Sequence, residues 1–500
     1  MSTVGGLDIG TTGCKLTVFD EAGEKLGQAY REYPTSRRSG AHEIDASDIL
    51  SSVLEVLREL SGYPDIAGIG VTSFGETFVL TDEEGRPLHR SMLYTDPRGK
   101  EQCRTLTDAK GEKAIAAITG LRPHEMYSLP KIMWMKENKP EIYAKAKHIF
   151  LMEDFVVFAL TGTAQIDYSL ATRSMAFDIR KLSWSEELLN LAGIDRRLFS
   201  RPVPTGTAAG TIRKSVAEAT GLPETVQIIS VSHDQIAAGI GAGVFDAGAA
   251  VDGAGTVQCL TVIYEGIPTS DIIYEGSYPI VPYVVPGKYA SYGFSYTGGA
   301  LMQWCVDTLA KKEKELAAAA GCSVNEFLER TFRDRTEGPS GMLVLPHFAG
   351  AATPYMDTGS RGAILGLTAD STVGDIYRAC MEGVVYEMRI NYDRLKESGA
   401  HPAMLRATGG GARSNVWMQM KADVLNLPVT ALGTSDAGTV GSAMLTGIAT
   451  GCYENLADAA DHMVRTAQIF YPRPEMHERY EAVYARYQKL YDAVRPLMQE

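Results

Sequence analysis

The sequence predicts an α/β protein of two domains, each opening on the same strand–strand–strand–helix–strand unit. Residues 4–72 read as three strands joined by tight turns, then a helix, then a buried strand. The opening recurs near mid-chain: Leu7-Asp8-Ile9-Gly10-Thr11-Thr12 is matched by Val251-Asp252-Gly253-Ala254-Gly255-Thr256. With 500 residues, the chain is also too long for one ordinary core.

Residues 4–9 form a short apolar run and residues 10–13 a turn. Residues 15–19 alternate Leu16 and Val18 with Lys15 and Thr17, and residues 25–33 follow a turn at 21–24. Tight turns between such runs predict an antiparallel meander. Residues 46–60 carry Ile49, Leu50, Val53, Leu54 and Leu57 at helical spacing, and residues 66–72 read as a buried strand. In the second copy, residues 249–252 and 257–264 are strands around the turn at 253–256. An internal duplication follows, with a domain boundary near residue 247. Further on, residues 226–232 predict a strand and 234–240 a helix; residues 405–407 predict a strand, 409–411 a hinge and 413–425 a helix. A Gly-rich turn leads into another helix between 432 and 447, and residues 478–494 predict one long amphipathic helix stopped by Pro496.

Composition narrows the function class. Hydrophobic residues make up 45% and charged residues 22%, as in globular proteins, and the net charge is −13. No basic stripe exists to neutralise nucleic-acid phosphates, so nucleic acid is not an expected partner. Any anionic ligand must be held by backbone amides, a metal and a few local cations. The seven cysteines are odd in number, widely spaced and lack a CxxC pair, which predicts free thiols rather than a disulfide framework or a zinc site. The N-terminus lacks a basic-then-apolar signal pattern, and no apolar run approaches the roughly 18 residues of a membrane span. These features predict a cytoplasmic protein with no membrane partner.

Four segments carry chemistry. In Asp8-Ile9-Gly10-Thr11-Thr12-Gly13 a tight turn presents backbone N–H groups, Thr11 and Thr12 add hydroxyls, and Asp8 stands where it could hold a hydrated magnesium ion. An ordinary hairpin with a turn aspartate has the same residues. Asp252-Gly253-Ala254-Gly255-Thr256 repeats that pattern, and two such turns in equivalent halves could grip a polyphosphate from both sides. In Thr408-Gly409-Gly410-Gly411-Ala412-Arg413-Ser414-Asn415, glycines without Cβ atoms would admit a flat group, with Ser414 and Asn415 near a purine edge; a flexible helix entry reads the same way. In Ser232-His233-Asp234-Gln235, Asp234 could accept a hydroxyl proton, although Asp is also a favoured helix N-cap. His233 has no partner visible in the sequence and is left as a structural histidine. No GxxxxGK[ST] loop and no HExxH helix occurs.

Over essentially its whole length the chain resembles the FGGY carbohydrate kinases, of the fold group of actin, hexokinase and the heat-shock ATPases. Their first signature is matched by Met126-Tyr127-Ser128-Leu129-Pro130-Lys131-Ile132-Met133-Trp134. Their second is matched from Gly362 through Asp375-Ile376 to Met381-Glu382, with Cys380 as a departure. The resemblance implies two ribonuclease-H-like (actin-like ATPase) domains, each with a βββαβαβ-type mixed sheet flanked by helices. Residues 1–247 would carry the sugar site, first phosphate turn and catalytic aspartate, residues 248–500 the second phosphate turn and adenosine site, with the active site in the interdomain cleft.

It also implies the cofactors ATP and Mg²⁺, with Asp8 on the metal. Thr11, Thr12 and Lys15 would meet the terminal phosphates, Gly255 and Thr256 would serve the second phosphate turn, and Gly410, Gly411 and Asn415 would cradle adenosine. Asp234 would be the catalytic base, with Gln235, Glu76 and Tyr94 toward the sugar and Asp96 near it. The implied partner is a small-molecule sugar or polyol, and a homodimer is the implied assembly. Substrate choice is less determined: glycerol kinases carry Arg-Glu where this chain has Gly75-Glu76, xylulose kinases carry Met-His-Gly where it has Gly75-Glu76-Thr77, and residues 71–75 match fuculose kinases in part. Overall similarity points to the xylulose-kinase-like branch and a ketose. The alternatives are glycerol, erythritol, gluconate or fuculose as acceptor, or a non-catalytic ATP-binding sensor.

Overall fold

A computed structural model describes residues 2–38, 40–63, 65–333, 338–434 and 436–498. The chain divides into two compact units. The first comprises Met1–Phe245, Pro279–Ala290 and Asp436–Val464; the second comprises Asp246–Tyr278, Ser291–Ser435 and Arg465–Glu500. Two later segments thus pack with the first unit, so the units do not follow one cut at 247.

The first unit is built on a mixed sheet in the order Thr207–Thr211, Gln227–His233, Ile66–Ser73, Thr3–Ile9, Gly13–Phe19, Lys25–Glu32. The last three strands form the antiparallel meander that the turns predict, pairing Asp8 with Lys15 and Lys15 with Tyr30. Ile66–Ser73 and Gln227–His233 join in parallel, with Asp8 opposite Thr72 and His233 opposite Ser73. The helix Ala46–Glu59 starts where the Asp45 carboxylate accepts the Ser47 N–H, and buries Ile49, Val53, Val56 and Leu57. These join one core with Leu16, Val18, Ile69 and Val71, while Leu50 and Leu54 pack at its margin.

The helix Ala437–Thr450, from late in the chain, packs on Thr3–Ile9 and against the helix Asp234–Gly241. Small residues permit the approach. A Cβ on Gly6 would overlap the Thr439 carbonyl, one on Gly241 the Ala437 carbonyl, and one on Gly441 the Ala237 carbonyl.

In the second unit the central strands run in the order Tyr289–Ser295, Gln258–Tyr264, Ala249–Ala254, Met404–Thr408, Val429–Leu432, Thr466–Phe470. Ala249–Ala254 is antiparallel to Gln258–Tyr264 and parallel to Met404–Thr408, as Thr3–Ile9 is to its neighbours in the first unit. Helix Val373–Glu397, 25 residues long, begins at a capping box between Thr372 and Asp375. The long helix expected over 478–494 is instead two, Pro474–Tyr487 and Leu490–Val494. No proline or glycine marks the break at Gln488 and Lys489, so side-chain periodicity alone runs through it.

Candidate active site

Three adjacent parallel strands of the first unit end side by side, and each end delivers a carboxylate. Asp8 lies on the strand Thr3–Ile9, Glu76 follows Ile66–Ser73, and Asp234 follows Gln227–His233. Loops beyond the carboxyl ends of parallel strands are where α/β sheets hold ligands.

Asp234 is the first residue of the helix Asp234–Gly241, whose N-cap is His233. It is therefore not the cap that its residue type also suits. The strand end before it is pinned: Thr72 Oγ1 donates to the Ser232 carbonyl at 2.6 Å, and the His233 N–H donates to Ser169 Oγ at 3.0 Å. The Asp234 side chain is 31% exposed, yet its Oδ1 is buried and makes no hydrogen bond to the described residues. Burial, then the charges of Asp8 and Glu76, push its carboxyl up to about 7, against hydrogen bonds from Gln235. A carboxyl poised near neutrality is what a general base requires.

Asp8 is half-buried. Burial pushes its carboxyl up to about 6, with Lys15 opposing and Asp436 adding to the rise. Lys15 Nζ pairs with Asp436 Oδ1 at 2.6 Å, so the cation expected for phosphates is shared with the residue preceding the late helix. Against burial, Lys15 and Gln28 hold Asp436 below the usual carboxylate range. The turn between Asp8 and Lys15 closes with the Gly10 N–H on the Gly13 carbonyl at 2.9 Å, leaving Thr11 half-buried and Thr12 exposed.

Glu76 sits at φ +63°, in the centre of a three-residue turn closed by the Thr77 N–H on the Gly75 carbonyl at 2.7 Å. Such turns are strained, and strain of this kind gathers at functional sites. Its Oε1 accepts both Nε (2.6 Å) and an Nη of Arg173, a pair 5–7% exposed. Arg173 also lies over the Tyr127 ring, 5.1 Å from its centroid. Sequence reasoning passed over Arg173 because it lies 97 positions from its partner. Gly75 makes room: a Cβ there would be 3.0 Å from Arg173 Cγ and 3.1 Å from His233 Cδ2.

Tyr94 is half-buried; burial, then Glu76, raise its phenol above the usual range, with Arg37 opposing and Asp234 adding. Asp96 accepts from Arg98 Nε at 2.8 Å and from the His42 N–H at 2.8 Å, bonds that hold this loop. The loop is clamped by Lys131, buried among the carbonyls of Leu93 (2.9 Å), Tyr94 (3.3 Å) and Met126 (3.0 Å), and burial pulls this lysine down to about 8. The signature lysine thus fixes backbone rather than meeting ligand.

The second unit contains a cavity of about 1060 Å³ lined by Gly255, Thr256, Gly410, Gly411, Tyr377 and Trp417, among others. Gly409, at φ +91°, brings the glycine run against the Ala254 carbonyl, while a Cβ on Gly410 would meet nothing within 4 Å and would point into open space. At Gly410, then, backbone without a Cβ borders open space. Asn415 does not line this cavity; it lines neighbouring ones of about 840 and 340 Å³, as the first residue of helix Asn415–Leu425. Ser414 caps that helix through the Trp417 N–H and donates to Glu329 Oε1 at 2.6 Å.

The two Asp turns differ in chemistry. Asp252 is fully buried and bound by Lys421 Nζ at 2.6 and 2.9 Å, and Gln258 donates to it as well. It cannot reach a ligand, whereas half-buried Asp8 can. Among the described residues, no helix is long and apolar enough to cross a membrane.

Comparison with known proteins gives the family. The model of the N-terminal domain of the FGGY family of carbohydrate kinases matches residues 3–241, and that of its C-terminal domain residues 255–450. A xylulose kinase of Bacillus subtilis is 27% identical, over 99% of this chain and 98% of its own. A glycerol kinase of Halorhodospira halophila is 31% identical, over 97% and 94%. The solved xylulose kinase of Rhodospirillum rubrum superposes with a TM-score of 0.87 at 26% identity, covering 100% of each chain. The fold is that of the actin-like sugar kinases, and the chain belongs to the FGGY family of carbohydrate kinases, in its xylulose-kinase-like branch.

Proposed function

We propose that this sugar kinase phosphorylates a hydroxyl of a ketose such as xylulose, with Mg²⁺-bound ATP as donor and Asp234 as base. The observation that carries the reading is the placement of Asp234: a partly exposed carboxylate at the start of a helix, pushed up to about 7 by burial and by its neighbours Asp8 and Glu76. The acceptor oxygen would attack the terminal phosphorus, the bond to the bridging oxygen would break, ADP would leave, and Asp234 would take the hydroxyl proton.

Asp8 fits a hydrated ion that arrives with the nucleotide, since such an ion takes only one or two protein carboxylates. Among the described residues no group of three or more His, Cys, Asp or Glu side chains could hold a metal by itself. When bound, the ion would neutralise phosphate charge. Thr11, Thr12 and Lys15 would serve the terminal phosphates and Gly255 and Thr256 the second turn. The cavity lining supports Gly410 and Gly411 for adenosine ahead of Asn415. Glu76 would meet the sugar as half of its pair with Arg173, with Tyr94 and Gln235 as further contacts.

A polyol such as glycerol is a second reading, supported by the 31% identity to a glycerol kinase. Coupled ADP release with D-xylulose, other ketoses, erythritol, glycerol and gluconate separates the two. Asp234→Asn should keep ATP binding and lose turnover at least about a hundredfold. The base works as carboxylate, so kcat/KM should rise with pH through about 7. Near-normal turnover of Asp234→Asn would remove Asp234 from the role.

A further inference from the structure

His233 stands beside the buried oxygen of the proposed base. Its Nε2 lies 3.2 Å from Asp234 Oδ1, and its ring is 7% exposed. That oxygen makes no hydrogen bond to the described residues, and the contact is near enough to become one with a small turn of the ring. Catalytic hydrogen bonds are often loose before substrate binds.

The backbone that carries the ring is anchored. It is held by Ser169 Oγ at 3.0 Å, which donates in turn to Asp167 Oδ1 at 3.1 Å. Gly75 lies against the Cδ2 edge of the ring. Burial, then the Arg173 charge, hold the imidazole well below the usual histidine range, so it stays neutral while it faces the carboxylate.

We propose that His233 is the positioning residue for the base: its imidazole donates Nε2–H to Asp234 Oδ1 and fixes the carboxylate so that Oδ2 receives the hydroxyl proton. The inference rests on Asp234 being the base. It gives a task to a histidine that the sequence offered no reason to single out, and a reason for Gly75: a larger residue there would crowd both Arg173 and this ring. The groups facing Asp234 are Asp8 from the first strand, Glu76 and Tyr94 from loops, and Gln235 and His233 from its own segment.

The test uses the full chain with whichever of D-xylulose, glycerol and gluconate it turns over fastest. His233→Leu should lower kcat about tenfold to a hundredfold, with KM for acceptor and ATP changed by less than about threefold. His233→Gln, which offers an amide N–H near the position of Nε2, should recover most of kcat. In an Asp234→Asn background His233→Leu should have no further effect, because it acts through the carboxylate. If His233→Leu does not melt cooperatively, His233→Phe carries the same comparison. Wild-type kcat in the apolar variant, failure of Gln to rescue, or an equal loss in the Asp234→Asn background would overturn the proposal. A fully active Asp234→Asn would instead overturn the base itself.

Discussion

Replacing Lys421 with methionine strands the carboxylate of Asp252 in the core of the second unit. Both side chains are 0% exposed, and Nζ contacts the two carboxylate oxygens at 2.6 and 2.9 Å. Burial already pulls Lys421 below the usual lysine range, with Asp252 opposing that pull. Without the ammonium, the carboxylate keeps the Gln258 amide as donor and otherwise must stay charged in the core or take a proton.

Protonation sets the ceiling: neutralising an ordinary carboxyl at pH 7 costs about 1.4 kcal/mol for each of roughly three pH units, or about 4 kcal/mol. That agrees with the ~3–5 kcal/mol seen when one partner of a buried pair is removed. The sign then follows. The orphaned carboxyl has a raised folded-state pKa, so Lys421→Met should approach wild-type stability as pH falls and lose ground as it rises. At pH 5 the ceiling is about 1.5 kcal/mol. Asp252→Asn should behave oppositely, its buried amine becoming easier to tolerate as pH rises. Guanidinium titrations from pH 5 to 9 read this, with Trp417 as reporter, since Lys421 Nζ lies 4.8 Å from its ring centre. A Lys421→Met variant within about 1 kcal/mol of wild type at pH 7, or a penalty that grows on acidification, would refute the reasoning.

Glu153 is fully buried, and burial followed by Asp167 and Asp154 raises its carboxyl well above the usual range. Its stabilising protonation is present below the unfolded pKa and lost as pH rises, so Glu153→Gln should gain stability over wild type from about pH 4 upward, by at most ~1.4 kcal/mol per unit in urea melts. An advantage independent of pH would contradict this. Gly441→Ala would push a methyl into the Ala237 carbonyl and within 2.8 Å of Gly241 N; a loss of about 3 kcal/mol is expected, and an unchanged melting temperature would show that the helices can part freely. Gly410→Ala should leave the melting temperature alone yet raise KM for ATP, whereas Gly411→Ala should change both, because its Cβ would meet the Trp417 ring at 2.7 Å. Equal KM values for the two variants and wild type would remove adenosine from this cavity.

Local pattern carried much of the fold. The meander, the helix at 46–60 and the duplicated opening are set by residues within one turn or one strand of each other, and all three are found in the structure. The two strand–Asp–turn–strand segments are legible for the same reason. What stayed hidden depends on distant partners. Arg173 meets Glu76 and Lys421 meets Asp252 across 97 and 169 positions, and neither spacing has a sequence signal. His233 looked idle because its contact is side-chain geometry at the turn into a helix. The equivalence of Asp8 and Asp252 holds for backbone and fails for chemistry, because burial and a lysine from elsewhere decide the second.

The late helix Ala437–Thr450 has a consequence for biosynthesis. The opening strand leaves the ribosome first, but the segment that roofs Gly6 is among the last to be made. At about 5–20 residues per second, that leaves roughly 10–40 s between completion of the segment ending at Phe245 and completion of the helix at Thr450. The packing on Thr3–Ile9 and Asp234–Gly241 therefore cannot be completed until that late helix has been made. A fragment ending near residue 247 would lack the helix that covers Gly6 and packs on Asp234–Gly241, and would leave that small-residue face bare.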